Sequence, residues 1–437
     1  MRNLAILLTA TTLAACGGGG DTQSASGTAV SSGTTGTGTG TTAATDPFTE
    51  FVTPTAPRTY QGIGGTLVMD YNTDDRTVTN GASPFPGDDS QQGFSFGGYS
   101  STVRSSKISL SYDPRDAIFT LIVKDVNNNN TQTRFQDPAS RTDFVGARTP
   151  QWGIDDISAF PGVGQNSNYA YLQAGDGDPR SLYQASGAGF VIFGDNNTPP
   201  RVGNAANPAA YQATNLFFER PGTNGTRYVS LAGFIRNAIS WAPATLSTGR
   251  TIGQTIWHLE RGAFAYGLQT DLASVPKTGS GTYTGTMLAT MVYNPTLDAG
   301  AGSLPNYFQW LSGTSSTTVN FATGAVGLQL NGIVGRPAYD LFSAPQQITV
   351  AQGTTFTATG TATIDLVRTG GFTGQFQSAR FGATTNGANP IINIAGSTID
   401  GAFFGPAGEE VGGGFRIVGG NPDQRIDIVG AFKGRKP

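Results

Sequence analysis

Residues 355–366, TFTATGTATIDL, alternate strictly. Phe356, Ala358, Gly360, Ala362, Ile364 and Leu366 share one parity, and Thr355, Thr357, Thr359, Thr361, Thr363 and Asp365 share the other. A period of two over that length places one face in a core and the other in water. Upstream, TTVNFATGAVGLQLNG sets Val319 and Phe321 before an Ala-Thr-Gly-Ala turn and Val326, Leu328 and Leu330 after it, the pattern of a hairpin. The same grammar runs from Thr278 to the end. It predicts strands near 281–291, 317–322, 325–332, 355–366, 371–381, 397–404, 412–418 and 425–432, as expected of a sandwich or a closed antiparallel barrel. Closure would remove exposed edges.

The first half is less regular. Long polar connections such as NGASPFPGDDSQQ, DVNNNNTQT and DNNTPPRVGNAANPAA separate strand-like runs at Ile108 to Tyr112, Ala117 to Lys124, Gly189 to Phe193 and Tyr228 to Ile235. The expected fold is therefore all-β. A β-rich N-terminal domain covers 47–258 and an eight-stranded antiparallel barrel domain covers 259–437, with the boundary just after TIGQTIWHL. Solvent-side positions of the second domain are Thr, Asn, Gln and Asp, and the chain ends FKGRKP. A lipid-embedded barrel would need an outer apolar band instead, so this barrel is expected to lie outside the bilayer.

The N-terminus changes where such a protein would live. Met1-Arg2-Asn3, the apolar run Leu4 to Leu8 and Leu13-Ala14-Ala15-Cys16 read as a secretion signal over 1–15, too short to span a membrane. The chain's one cysteine follows directly, and the segment resembles a bacterial lipoprotein signal in which that thiol is acylated. Gly17 rather than Asp points to the outer membrane. Residues 16–46 are mostly Gly, Thr, Ser and Ala and lack the apolar mass to offset chain entropy, so they read as a flexible tether spanning about 30 Å. Charged residues are 13% of the chain, against about 25% in ordinary globular proteins, and glycine is heavily used at 62 residues. The net charge of −3 gives no nucleic-acid surface.

Candidate chemistry is sparse. His258 is the only histidine, which removes most familiar triads and zinc sites; it reads as structural. Acidic pairs at 74–75, 88–89 and 155–156 lack a complete calcium-loop pattern and read as turns. No catalytic residue, metal ligand or cofactor is expected, and the chain does not read as an enzyme. GSLPNYFQWLSG is the candidate ligand-contact loop, through Tyr307, Phe308 and Trp310, since aromatic side chains are effective anchors; the other reading folds Phe308 and Trp310 back as a plug of the barrel mouth. In GAFFGPAGEEVGGGF, residues 401–415, Phe403 and Phe404 should point one ring to each face of a strand that Pro406, after Gly405, ends. Gly412 to Gly414 should let the next strand bend at a barrel corner. Glu409 and Glu410 are sequence neighbours whose side chains diverge, so they are poorly placed to flank one glycosidic bond. They are expected to cap backbone amides or to pair with Arg380, Arg416 or Arg425.

GAFAYGLQTDLASVPKTGSGTYTG, VNFATGAVGLQL, GSTIDGAFFGPAGEEVGGGF and the terminal IDIVGAFKGRKP resemble the barrel domain of the transferrin-binding protein B family, in its single-lobe, solute-binding form. That resemblance implies a handle domain packed against an eight-stranded barrel in a surface lipoprotein, displayed with the help of a surface lipoprotein assembly modulator. The expected function is non-covalent capture of a ligand, either a protein or an iron or haem carrier, through loops of the handle and barrel tips. Expected partners are the membrane through the lipid on Cys16, a protein ligand and an outer-membrane transporter; the protein is expected to be a monomer. The alternative is a structural or adhesive envelope lipoprotein, and a further one is a barrel that encloses a small lipophilic molecule.

Overall fold

The computed structural model describes residues 47–74, 99–124, 130–136, 169–175, 185–186, 189–190, 211–245, 251–294, 307–337, 349–384, 387–421 and 424–437. Cys16 and the tether lie outside the described residues. A short helix, α1 (Pro47–Val52), leads into β1 (Arg58–Asp74), β2 (Tyr99–Asp113), β3 (Ile118–Lys124), β4 (Asn130–Gln136), β5 (Tyr169–Gly175) and the two-residue strands β6 (Ala185–Ser186) and β7 (Gly189–Phe190). Then come β8 (Tyr211–Glu219), β9 (Val229–Thr245) and β10 (Thr251–Gly267). The second half holds β11 (Ser280–Asn294), β12 (Tyr307–Asn320), β13 (Ala325–Pro337), β14 (Thr355–Asp365), β15 (Gly371–Phe381), β16 (Ile394–Phe404), β17 (Glu410–Gly419) and β18 (Arg425–Arg435).

β11 to β18 form a closed antiparallel barrel in chain order, with β18 returning to pair with β11. The first half forms an eight-stranded sheet in the order β4-β3-β2-β1-β10-β9-β8-β5. The all-β reading and the eight-stranded barrel both hold. The boundary at 258–259 does not: it falls inside β10, whose ladders with β1 and β9 run unbroken past His258 and Leu259. Cutting there would leave β1 unpaired opposite Leu259 to Tyr266 and β9 unpaired opposite Leu259 to Gly267, so the handover to the barrel lies at 268–279.

Alternation in the barrel has a local cause. Along β14 the burial pattern is eBiBeBeBeii, with the apolar parity inward and the threonines out. β17 and β18 are buried on both parities, because their outer faces meet the sheet. The lumen is filled by side chains, among them Tyr283, Met287, Phe356, Phe372, Phe403, Phe415 and Phe432. Eight strands enclose room for side chains and little more, and this packed core rules out the enclosed lipophilic ligand. A second core, with Phe51, Tyr60, Leu121, Phe135, Leu216, Phe234, Phe264 and Tyr266, lies on the far face of the sheet, where the buried pair Arg236–Glu260 joins neighbouring strands β9 and β10.

Candidate functional site: the sheet–barrel junction and the long-connection end

Which side chains meet across the junction follows from register. On β8, Leu216 and Phe218 enter the sheet's own core, so Asn215, Phe217 and Glu219 face the barrel. On β11, Tyr283, Met287, Ala289, Met291 and Tyr293 occupy the lumen, so Leu288, Thr290 and Val292 face the sheet. Burial pushes the phenols of Tyr283 and Tyr293 up to about 12. The backbones approach until no side chain fits: a Cβ at Gly65 would lie 2.7 Å from the Phe415 carbonyl oxygen, and one at Gly414 would strike the backbone of Gly64. Gly414 thus serves contact between the two units rather than a bend at a barrel corner.

Phe308 and Trp310 lie at this junction. They stand on β12, not in a loop, and both are fully buried. Trp310 packs edge-on against Phe217 of β8 at 4.9 Å between centroids, and the Arg261 guanidinium lies 3.9 Å from the Phe308 ring centre. Their parity is the outward one of β12, opposite Leu311 in the lumen, so they do not plug the barrel mouth either. Tyr307 begins β12 and pairs in register with Tyr293. The aromatic cluster read as an exposed contact loop is, for Phe308 and Trp310, packing between sheet and barrel.

The 401–415 stretch closes one end of the same junction. Phe403 enters the lumen beside Phe321 and Phe372, while Phe404 turns out and lies near Gly412. Gly405 adopts φ 88°, a left-handed conformation that favours glycine, and Pro406 lies in the turn that follows β16. Gly405 donates its N–H to Leu268 O at 2.9 Å and accepts at its carbonyl from Thr270 Oγ1 at 2.6 Å, stitching the turn to the segment between sheet and barrel. Glu409 stays local, accepting from Ala407 N at 2.9 Å. Glu410 reaches across: its carboxylate accepts the backbone N–H groups of Arg227, Tyr228 and Val229 at 2.5, 2.8 and 3.0 Å. Burial raises its pKa, opposed by those three amides and by the charge of Lys433. Lys433 pairs with Glu219 and donates to Thr226 Oγ1 at 2.7 Å. Glu219 also accepts from Tyr169 OH at 3.0 Å. Capping, rather than pairing with Arg380, Arg416 or Arg425, is therefore the role of the acidic pair.

A second polar group ties β2 to the barrel. Arg104 pairs with Asp400 and donates to Gly401 O at 2.8 Å, and Arg416 donates to Ser100 Oγ at 2.7 Å. Burial raises Asp427 despite Arg425 at 3.0 Å and lowers Arg416. The sequence offered no signal for these pairs, because their partners are some 200 to 300 residues apart in the chain.

The barrel's connections divide by end. Turns 321–324, 366–370 and 405–409 close one end, and connections 295–306, 338–354 and 382–393 leave the other. At the latter end, described segments fold over the mouth: Val350 bridges Ala388, Val350 and Ile392 enter the barrel core, and Gln309 Nε2 donates to Val350 O at 2.7 Å. A ligand at this end would meet the outside of these segments. In the sheet, β1, β5 and β9 end and β2, β8 and β10 begin at the end away from Glu410, whereas β4 ends and β5 begins at the near end. Among the described residues no three His, Cys, Asp or Glu gather to hold a metal, and no helix is long and apolar enough to cross a membrane. His258 is half-buried on β10, opposite Asp70 in register.

No protein-family model and no curated protein matches the chain. Among solved structures it is similar to intact Ap-TbpB with its N and C lobes, at 11% identity over 87% of this chain and 78% of that one, TM-score 0.28. It is also similar to a mutant of the vaccine antigen transferrin binding protein B from Haemophilus parasuis Hp5, at 13% over 87% and 76%, TM-score 0.27. A third is HpuA from Kingella denitrificans in complex with human haemoglobin, at 11% over 74% and 83%, TM-score 0.18.

Proposed function

We propose that this protein is a lipid-anchored outer-membrane surface protein that captures a protein ligand, or an iron or haem carrier, non-covalently and passes it to an outer-membrane transporter. The supporting observation is the division of labour in the fold. The lumen is filled and the junction is clamped by buried ion pairs and amide caps, while three long barrel connections leave one end. A rigid support with long connections suits recognition better than chemistry. Cys16 supplies the anchor and residues 17–46 the reach.

Binding to immobilised full-length protein tests the reading, with transferrin, haemoglobin and proteins recovered from iron-limited medium as probes. Saturable binding that is lost when 338–348 is replaced by a short Gly-Ser linker supports capture at this end. Absence of saturable binding by every probe, with a protein that is folded and surface-displayed, favours the structural or adhesive role.

A further inference from the structure

The tether enters the folded protein at a defined place. Phe51 of α1 packs against Tyr60 at 5.3 Å and Tyr266 at 6.0 Å, and Tyr266 is the last residue but one of β10. The chain continues from there through 268–279 to the short-turn end of the barrel, where Thr270 N donates to Phe403 O. The anchor side and the short-turn side are therefore one end of the molecule.

That end carries an apolar pair with cations around it. Val367, in the 366–370 turn, is 90% exposed, and Leu272, in the 3-10 turn Leu272–Ser274, is 43% exposed. The two turns touch: a Cβ at Gly370 would stand 3.7 Å from Leu272 Cδ2. Lys277, Arg368, Arg435 and Lys436 are exposed nearby on the same barrel end. Carboxylates of this barrel end bond backbone amides: Asp271 accepts from Ala273 N, Asp365 from Arg368 N and Glu409 from Ala407 N; Asp365 also lies 3.7 Å from the Arg368 guanidinium, which stays largely exposed. Apolar tips ringed by exposed cations fit the boundary between lipid headgroups and acyl chains.

We infer that this end is a membrane-seating face: Leu272 and Val367 enter the headgroup layer of an anionic lipid surface, with Lys277, Arg368, Arg435 and Lys436 on the phosphates. The tether alone would leave the lobe free to tumble above the bilayer. The seat turns the long-connection end, where Ile391 is 58% exposed, away from the lipid. This inference rests on Cys16 as the attachment point.

The test couples the Cys16 thiol of the mature chain to a maleimide lipid in phosphatidylethanolamine–phosphatidylglycerol vesicles with brominated acyl chains, which quench nearby indoles. V367W is expected to add emission that the bromolipid removes, and I391W emission that survives. Adding L272E to V367W should abolish the quenching, as should raised salt if the cations contribute. Equal quenching at 367 and 391, or quenching only at 391, overturns the inference. Flotation of the native chain beside C16S, from the producing cell's membranes, separately decides the attachment point. Failure to float sinks the lipid-anchor reading, while the coupled vesicles still decide whether the face seats on lipid.

Discussion

Glu410 shows how one carboxylate can hold two β units together. Its three amide donors come from the end of the connection between β8 and β9 and from the first residue of β9. Glu410→Ala should remove the acceptor of these three amides and cost about 3 kcal/mol, read as a lower denaturant midpoint with an unchanged slope. Glu409→Ala, which removes one local bond, should cost far less. Asp427 offers a pH test. Its folded-state pKa is raised by burial, so the native state holds the proton more tightly than the unfolded chain. Its favourable contribution is complete below the unfolded carboxylate value of about 4 and is lost as pH rises through the elevated folded value. Asp427→Asn should therefore gain stability relative to the parent as pH is raised across that window. A constant difference between the two proteins over pH would contradict the assignment.

At the scale of elements, legibility in the sequence tracks what each face touches. β14 is bare on one side, so its threonines and apolar residues alternate and its span is readable to within a residue or so. β12 defeats the same reading: its first residues Tyr307 to Leu311 carry large side chains at nearly every position because one parity fills the lumen and the other meets β8. An aromatic-rich run flanked by glycine and proline looks like a loop when the covering sheet is unknown. The boundary error at His258 has the same origin, since nothing local marks that β10 continues to pair. For Glu410 the sequence left open an amide cap or a pair with an arginine, and the receiving amides, 181 to 183 residues away, were not legible. Trp310→Ala should cost about 3–5 kcal/mol and raise amide exchange in β8 and β9, with ligand affinity per folded molecule unchanged. Gly414→Val should separate the units more severely than a valine on the bare face at Thr359, because its Cβ meets the β1 backbone.

For the whole molecule, sheet and barrel share one wall. β17 and β18 face the lumen with one parity and β1, β2 and β10 with the other, so neither unit completes its burial without its neighbour. Thermal unfolding is expected as a single calorimetric transition with equal van't Hoff and calorimetric enthalpies; two resolved peaks would show the units to be independent. The pairing of β18 with β11 has a consequence for assembly. Met287 pairs with Phe432 and Thr284 with Arg435, so the barrel closes only when its first strand meets its eighth. That ladder spans the whole barrel segment in sequence and carries the highest loop-closure cost of the eight, and the Lys433 latch to Glu219 comes with the same strand. Closing the barrel and locking it to the sheet are thus one event, and a variant that cannot place β18 should lose both together.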